Sequence, residues 1–285
     1  MRAPVTSASR ASAERVELRA LVAGNCGNVL EWYDFVVFAF LAPVIGARFF
    51  PSGDPLSSLL NAFGVFAVGH LVRPVGGLLF GQLGDRHGRK RALQLSVVAM
   101  AIPTALIAAL PTYADAGILA PVLLVLLRLA QGGAFGGELV GSMCYLVEAA
   151  PPERRALFGS LTIVGIALGV LLASGVVAIA RAVLPSETMH AWGWRLPFLG
   201  GLAIGAVGWW MRRGLAETPA FLRAVEAGRT ADASVATLLR AHGARVAVIF
   251  GMSARRGSPD TAAGRPPARP RRRRSTRHGL LDSSS

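Results

Sequence analysis

The sequence predicts an all-α membrane protein: a bundle of six spanning helices followed by a disordered basic tail. Three observations carry this. Apolar runs of about 20 residues recur along the chain, each long enough at ~1.5 Å per residue to cross a hydrocarbon core of about 30 Å. Of the 285 residues, 53% are hydrophobic and 16% charged, against roughly 45–50% and about 25% in soluble domains. Basic clusters fall between the runs, and at least one proline marks most of the connections. A bilayer core offers backbone amides no water, so each run must satisfy its own as a helix.

Residues 1–20 are polar and form a cytoplasmic segment. No cleavable leader is evident, because the first apolar run is itself long enough to span. Helices are expected at 21–46, 57–81, 92–110, 119–147, 157–181 and 191–211, so that 21–211 is the membrane bundle. Pro51, Pro55, Pro111, Pro151, Pro152 and Pro185 lie in the connections. Residues 212–243 form a cytoplasmic connection in which Pro219 can start a short helix. A seventh apolar run occupies 244–252 and stops. Residues 253–285 are rich in Arg and Pro and cannot bury enough apolar surface to fold. Nine arginines against two aspartates in that tail carry half of the net charge of +14. The abrupt change of composition reads as a shift of reading frame in a GC-rich gene, with a genuine basic tail as the other explanation.

Orientation follows from the basic residues, which favour the cytoplasmic side. Arg2, Arg10, Arg15 and Arg19 precede the first helix, and Arg86, Arg89, Lys90 and Arg91 join the second to the third. Arg154 and Arg155 join the fourth to the fifth, and Arg212, Arg213, Arg223, Arg229, Arg240 and Arg245 follow the sixth. Only Arg48, Arg181 and Arg195 fall on the other side, so both ends of the bundle are cytoplasmic. Nucleic-acid binding is disfavoured, since the basic tail carries neither a reading element nor interleaved aromatics. No nucleophile elbow, phosphate loop or metal-ligand cluster is present, so no enzyme, metal or cofactor is expected. Cys26 and Cys144 sit in apolar runs as small packing residues.

Ionisable groups inside spanning helices cost roughly 2.5–3.5 kcal/mol each on insertion scales, so each requires a reason. The first helix carries Glu31 and Asp34, whose i, i+3 spacing places them near one face. Two such carboxylates in a low dielectric raise one another's pKa, which suits a proton carrier; Asp34 is the favoured one. Arg73 in the second helix and Arg128 with Gln131 in the fourth are candidates to hold an anionic solute or the carboxylates of the first helix. Glu138, about 80° from the Arg128 face at 100° per residue, points to a structural role toward another helix. Gly133, Gly137 and Gly141, with Gly132 and Gly136 beside them, and Gly165 with Gly169 at the same spacing allow close helix contact.

The most specific signal is Gly81-Gln82-Leu83-Gly84-Asp85-Arg86-His87-Gly88-Arg89-Lys90-Arg91. Gly84 and Gly88 permit a tight turn there, Asp85 can accept bonds at a helix end, and Arg86, Arg89 and Lys90 can anchor to anionic headgroups. This segment resembles the loop signature of the major facilitator superfamily. Further residues are similar to the metabolite–proton symporter family within it: Gly27-Asn28 with Glu31-Trp32-Tyr33-Asp34-Phe35, Arg73-Pro74 with Gly76-Gly77, and Arg128, Gln131 and Gly132 with Gly136-Gly137-Glu138. Trp192 through Phe198 and Glu217-Thr218-Pro219 with Phe221 extend the match, which covers about 18–252.

The resemblance implies proton symport of a small organic acid or a zwitterionic osmolyte across a bacterial inner membrane, with the bilayer, the solute and protons as partners and no cofactor. Members resemble twelve-helix proteins made of two six-helix halves, with solute held between them near the midplane. The aspartate matching Asp85 engages a helix of the second half. This chain resembles the amino-terminal half, and alone is expected not to transport. The alternative is a non-transporting membrane interaction protein or a remnant half-transporter.

Overall fold

The computed structural model describes residues 7–228, with side chains from residue 20 onward, and isolated positions 240, 243, 244 and 248. The expected tail at 253–285, and all but two positions of the short run at 244–252, lie outside the described residues. The helices from residue 7 to residue 226 all belong to one unit, which ends at Asp232.

The first helix, α1 (Ser7–Phe49), is longer than its apolar run and begins within the polar amino-terminal segment. Asp54 then caps α2 (Pro55–Leu71), accepting the amides of Leu56 and Ser57 at 3.2 and 2.9 Å, with Pro55 in the first turn. After a break at Val72 the same span continues as α3 (Arg73–His87). Next come α4 (Arg89–Ala109) and a single turn, α5 (Tyr113–Ala116), closed by a reciprocal capping box between Thr112 and Asp115. The long α6 (Leu119–Ala149) is followed by a 3₁₀ turn (Pro152–Arg154) and α7 (Arg155–Val183). A short α8 (Ser186–Thr188) and a π turn (Met189–Gly193) lead to α9 (Arg195–Arg213), and α10 (Pro219–Glu226) closes the unit. Among the described residues no strand occurs.

Among the described residues, five segments are long and apolar enough to cross a membrane: 20–49, 55–87, 89–109, 119–149 and 152–183. The sixth, α9, packs along α4 and α1 as a bundle member. Its 19 residues carry arginines at both ends, which lowers its mean apolarity. α1, α4 and α6 form the centre, α7 and α2 lie on α1, and α3 lies on α6. Tyr33, Val37, Phe38, Leu41, Ile45 and Phe49 of α1 are buried, as are Leu124, Trp194 and Phe198. The outward faces expose Leu126, Ile163, Leu171, Ile179, Val207 and Trp210, as lipid contact requires.

Two expectations need correction. The segment from Gly81 to His87 is helical, so the second span runs six residues further than its apolar pattern and Gly84 makes no turn. Gly88 alone turns the chain, at φ 101° and ψ 148°, a region L side chains rarely adopt. The close helix contacts also fall on only some of the glycines expected to make them. A Cβ on Gly132 or Gly136 would strike the carbonyl oxygens of Gly69 or Arg73, so α6 lies directly on the backbone of the second span. Gly137 is equally tight against Phe80, and a Cβ on Gly169 would stand 2.6 Å from the Val29 carbonyl oxygen. One on Gly165 would meet Asn25 and Asn28 at 3.1–3.2 Å, whereas at Gly141 and Gly133 the nearest atoms lie at an ordinary 3.5 and 3.9 Å.

Candidate functional site

Asp34 and Arg128 meet in the middle of the bundle. Asp34 is fully buried on α1, and its Oδ2 accepts Arg128 Nη1 from α6 at 2.6 Å. Its Oδ1 accepts Thr104 Oγ1 from α4 and Gln131 Nε2 from α6, both at 3.0 Å. Gln131 Nε2 also reaches Thr104 Oγ1 at 2.8 Å. The three central helices thus each contribute to one carboxylate. Arg128 and Gln131 share a face because they are three apart on one helix. The Arg128 guanidinium lies over the Phe38 ring at 3.8 Å, a cation–π contact that compensates part of its desolvation. Its Nε and Nη2, and the Oε1 of Gln131, are buried and make no hydrogen bond.

Glu31 makes none of the polar contacts of Asp34. It pairs instead with Arg73 of α3, Oε1 to Nη1 at 2.9 Å. Each carboxylate has its own arginine. Arg73 stands just past the break at Val72 and lies 5.3 Å from the Phe135 ring centre and 6.0 Å from that of Phe35. Glu31 Oε2 and Arg73 Nε make no hydrogen bond. Phe35 and Phe66 stack tilted at 4.4 Å, and His70 lies 4.9–5.0 Å from both. A small cavity here is lined by Phe35, Phe66, Gly69, His70, Arg128 and Phe135.

A third buried pair sits about 15 Å along α6 toward the loop motif, at ~1.5 Å per residue. Glu138 binds Arg212 of α9 through both oxygens, and Ser96 of α4 donates to the same carboxylate. The remaining Arg212 donors go to the carbonyls of Ala23 and Gly24 at 3.0 and 3.2 Å and to that of Leu93. Glu138 therefore faces another helix, as its angular offset indicated.

At the loop motif, Asp85 pairs with Arg89 at 2.8 Å across the Gly88 turn. Glu217 accepts the backbone amides of Arg89 and Lys90 at 2.9 and 3.3 Å and so caps α4. Arg89 also reaches Glu148 at 3.4 Å, and Thr218 donates to Glu148 at 2.6 Å. Arg86 stays exposed.

Sequence reasoning missed Thr104, Ser96, Arg212 and Glu217. Thr and Ser are common in spanning helices, so nothing marked the first two. Arg212 stood beside Arg213 at the end of an apolar run and read as a cytoplasmic flank. Glu217 was visible within Glu217-Thr218-Pro219, without a partner assigned.

A bundle with charged pairs buried at its centre, lipid-facing outer surfaces and this loop motif defines a major facilitator transporter unit. The chain belongs to the sugar (and other) transporter family, whose model matches residues 20–254. It is 41% identical over 208 residues to the proline/betaine transporter of Salmonella typhimurium, covering 73% of this chain and 42% of that protein. It is 42% identical over 204 residues to the alpha-ketoglutarate permease of Escherichia coli, covering 72% and 47%. The chain thus spans about half the length of the curated relatives it matches. The xylose transporter XylE of Escherichia coli, in a partially occluded inward-open conformation, has the same fold with a TM-score of 0.68 at 19% identity, covering 76% of this chain and 52% of that one. The expected superfamily and the expected kinship with metabolite carriers both stand, with the chain matching the amino-terminal half.

Proposed function

We propose that this six-helix unit is the proton-coupling half of an inner-membrane symporter for a small organic acid or a zwitterionic osmolyte. The observation that supports it is the Asp34–Arg128 pair: fully buried, bridged by Thr104 and Gln131, yet leaving two Arg128 donors unused. A proton arriving on Asp34 neutralises the carboxylate, and Arg128 then carries an unmatched charge in a low dielectric. A solute carboxylate restores the match, so proton and solute favour one another's binding. Departure of the proton re-forms the ion pair and expels the solute. The substrate range of the relatives, which are named for proline, betaine and alpha-ketoglutarate, is consistent with a carboxylate as the shared group.

The test joins residues 1–226 to the remainder of the Salmonella typhimurium relative and measures uptake in proteoliposomes. Accumulation should follow an imposed proton gradient. In that chimera Asp34→Asn should abolish accumulation while leaving solute exchange, since an amide cannot cycle a proton. Gradient-driven accumulation by Asp34→Asn at the parent rate would remove Asp34 from the mechanism. The proposed orientation places Asp115 outside and His87 inside. A cysteine at position 115 should react with an impermeant thiol reagent applied externally, and one at position 87 should not.

A further inference from the structure

Away from the charged centre, one groove on the outer surface carries polar groups at two depths. α7 and α9 both pack on α1 but touch each other little, and a groove of about 570 Å³ opens between them. Val29, Val164, Leu168, Ile204 and Val207 make its walls apolar. Its length on α1, from Leu21 to Val29, is a rise of about 12 Å, close to the ~15 Å of one leaflet's hydrocarbon. That is the depth of a single acyl chain, not of a path across the membrane.

A second cavity, of about 520 Å³, continues the groove toward the side of the loop motif and is lined by Ala23, Trp210, Met211 and Arg213. Trp209 and Trp210 are 41% and 71% exposed there, as rings at headgroup level are. Arg213 is exposed, lies 4.6 Å from the Trp209 ring centre and has no carboxylate partner among the described residues. Its charge is open to an anion in the lipid. Asn25 lies deeper, in the floor of the groove. Its Oδ1 accepts Asn28 Nδ2 at 3.3 Å, and its own Nδ2 donates to nothing among the described residues. The Cys26 thiol meets the Gly208 carbonyl at 3.6 Å, which sets the register of α1 on α9. Arg213 is five residues past Gly208, so its backbone stands about 7.5 Å nearer the headgroups than that level. An amide donor facing acyl chains is costly unless it finds an acceptor. Just below a phosphate, the acceptor that a glycerolipid offers is an ester carbonyl.

We propose that the groove between α7 and α9 binds one anionic glycerophospholipid from the leaflet on the side of the loop motif. Arg213 takes the phosphate, Asn25 donates to an ester carbonyl, and one acyl chain lies along Val29, Val164 and Ile204. A phosphate whose headgroup carries no cation is preferred, because a choline would compete with Arg213 for it. The inference goes beyond the transporter reading and depends neither on the solute nor on proton coupling.

The experiment releases the full chain from mixed-lipid nanodiscs in a native mass spectrometer and weighs the lipid that stays bound. The probes are diacyl phosphatidylglycerol, diacyl phosphatidylcholine with the same chains, and ether-linked phosphatidylglycerol, which lacks the ester carbonyls. One diacyl phosphatidylglycerol should be retained about fivefold over phosphatidylcholine, as a single basic residue at a lipid surface implies. It should be retained about threefold over its ether analogue, for one hydrogen bond. Arg213→Gln should abolish the headgroup preference and keep the ester preference, and Asn25→Leu should do the reverse. Val164→Trp, which fills the groove, should lower retention of all three lipids. A variant that merely misfolds loses both preferences together, so the crossed pattern separates binding from packing. Equal retention of the three lipids, or loss of both preferences in each single variant, would overturn the proposal. Retention by the chain but not by the Salmonella typhimurium chimera would assign the groove to the second half and overturn it as well.

Discussion

Two buried ion pairs, each drawing on α1, α4 and α6, differ in how completely they are satisfied. Around Arg212, the carboxylate of Glu138, the hydroxyl of Ser96 and three backbone carbonyls take up every donor of the guanidinium. Around Arg128, one carboxylate oxygen and the face of Phe38 are all that is engaged, and two donors remain unused. A buried charge left short of partners is costly, so a saturated arginine belongs to the architecture and an unsaturated one invites a ligand. The first pair ties α1, α4, α6 and α9 together. The second has capacity to exchange one partner for another. Burial alone would have ranked them alike.

The largest effect that could break this contrast is at the saturated pair. Arg212→Ala should destabilise the bundle by about 3–5 kcal/mol, because it leaves Glu138 buried and uncompensated. Arg212→Lys should recover little, since an ammonium cannot reproduce the planar fork. Replacing Glu138 and Arg212 together with Met should restore much of the stability. Equilibrium unfolding in mixed micelles reads all three.

At the unsaturated pair, Asp34→Asn keeps the size of the side chain and an acceptor oxygen for Arg128, so it should cost less than Arg212→Ala, about 1.5–3 kcal/mol for a charge-assisted hydrogen bond, while coupling is lost. Equal destabilisation at Asp34 and Arg212 would erase the distinction. A comparable but smaller loss, about 1–3 kcal/mol, is expected for Gly136→Ala, whose new methyl must push α6 off the Arg73 carbonyl. Gly88→Ala should cost about 1–2 kcal/mol through its positive φ and should speed amide exchange at Arg89, because Glu217 is displaced from its cap.

The smallest effect concerns acid. The Thr112 hydroxyl, and then the Thr112 amide, hold the Asp115 carboxyl below its ordinary value of 3.8. A lowered carboxyl contributes stability that is complete above that value and disappears as pH falls through the lowered one. Unfolding of the Asp115→Asn variant should therefore match the parent in strong acid and differ slightly from it at neutral pH.

Much of the fold was legible because lipid enforces one rule, that every spanning backbone closes on itself as a helix. Asp34, Arg128 and Gln131 stood out as polar residues within apolar runs, and the structure brings them together. Arg212 did not stand out, because one arginine beside another at a helix end looks like a surface anchor. Its burial depends on Glu138 lying 74 residues earlier, a distance no local pattern encodes. The loop motif was found but its geometry misread. Gly, Asp and His are poor helix formers, yet α3 continues through Gly81, Gly84, Asp85 and His87. Tertiary contact of α3 with α6 and α4 outweighs that local preference.

The separation of Glu138 from Arg212 along the chain also bears on how the protein is made. The helix carrying the acid leaves the ribosome first, followed by all of α7, and its partner arrives near the end of α9. Until then α6 holds an unmatched carboxylate in its membrane-spanning stretch, worth roughly 2.5–3.5 kcal/mol against staying in lipid. Completion of the bundle is thereby gated by synthesis of its final helix. A nascent chain halted before residue 212 should be integrated but loosely packed and readily cleaved by protease, whereas one extended past it should resist cleavage.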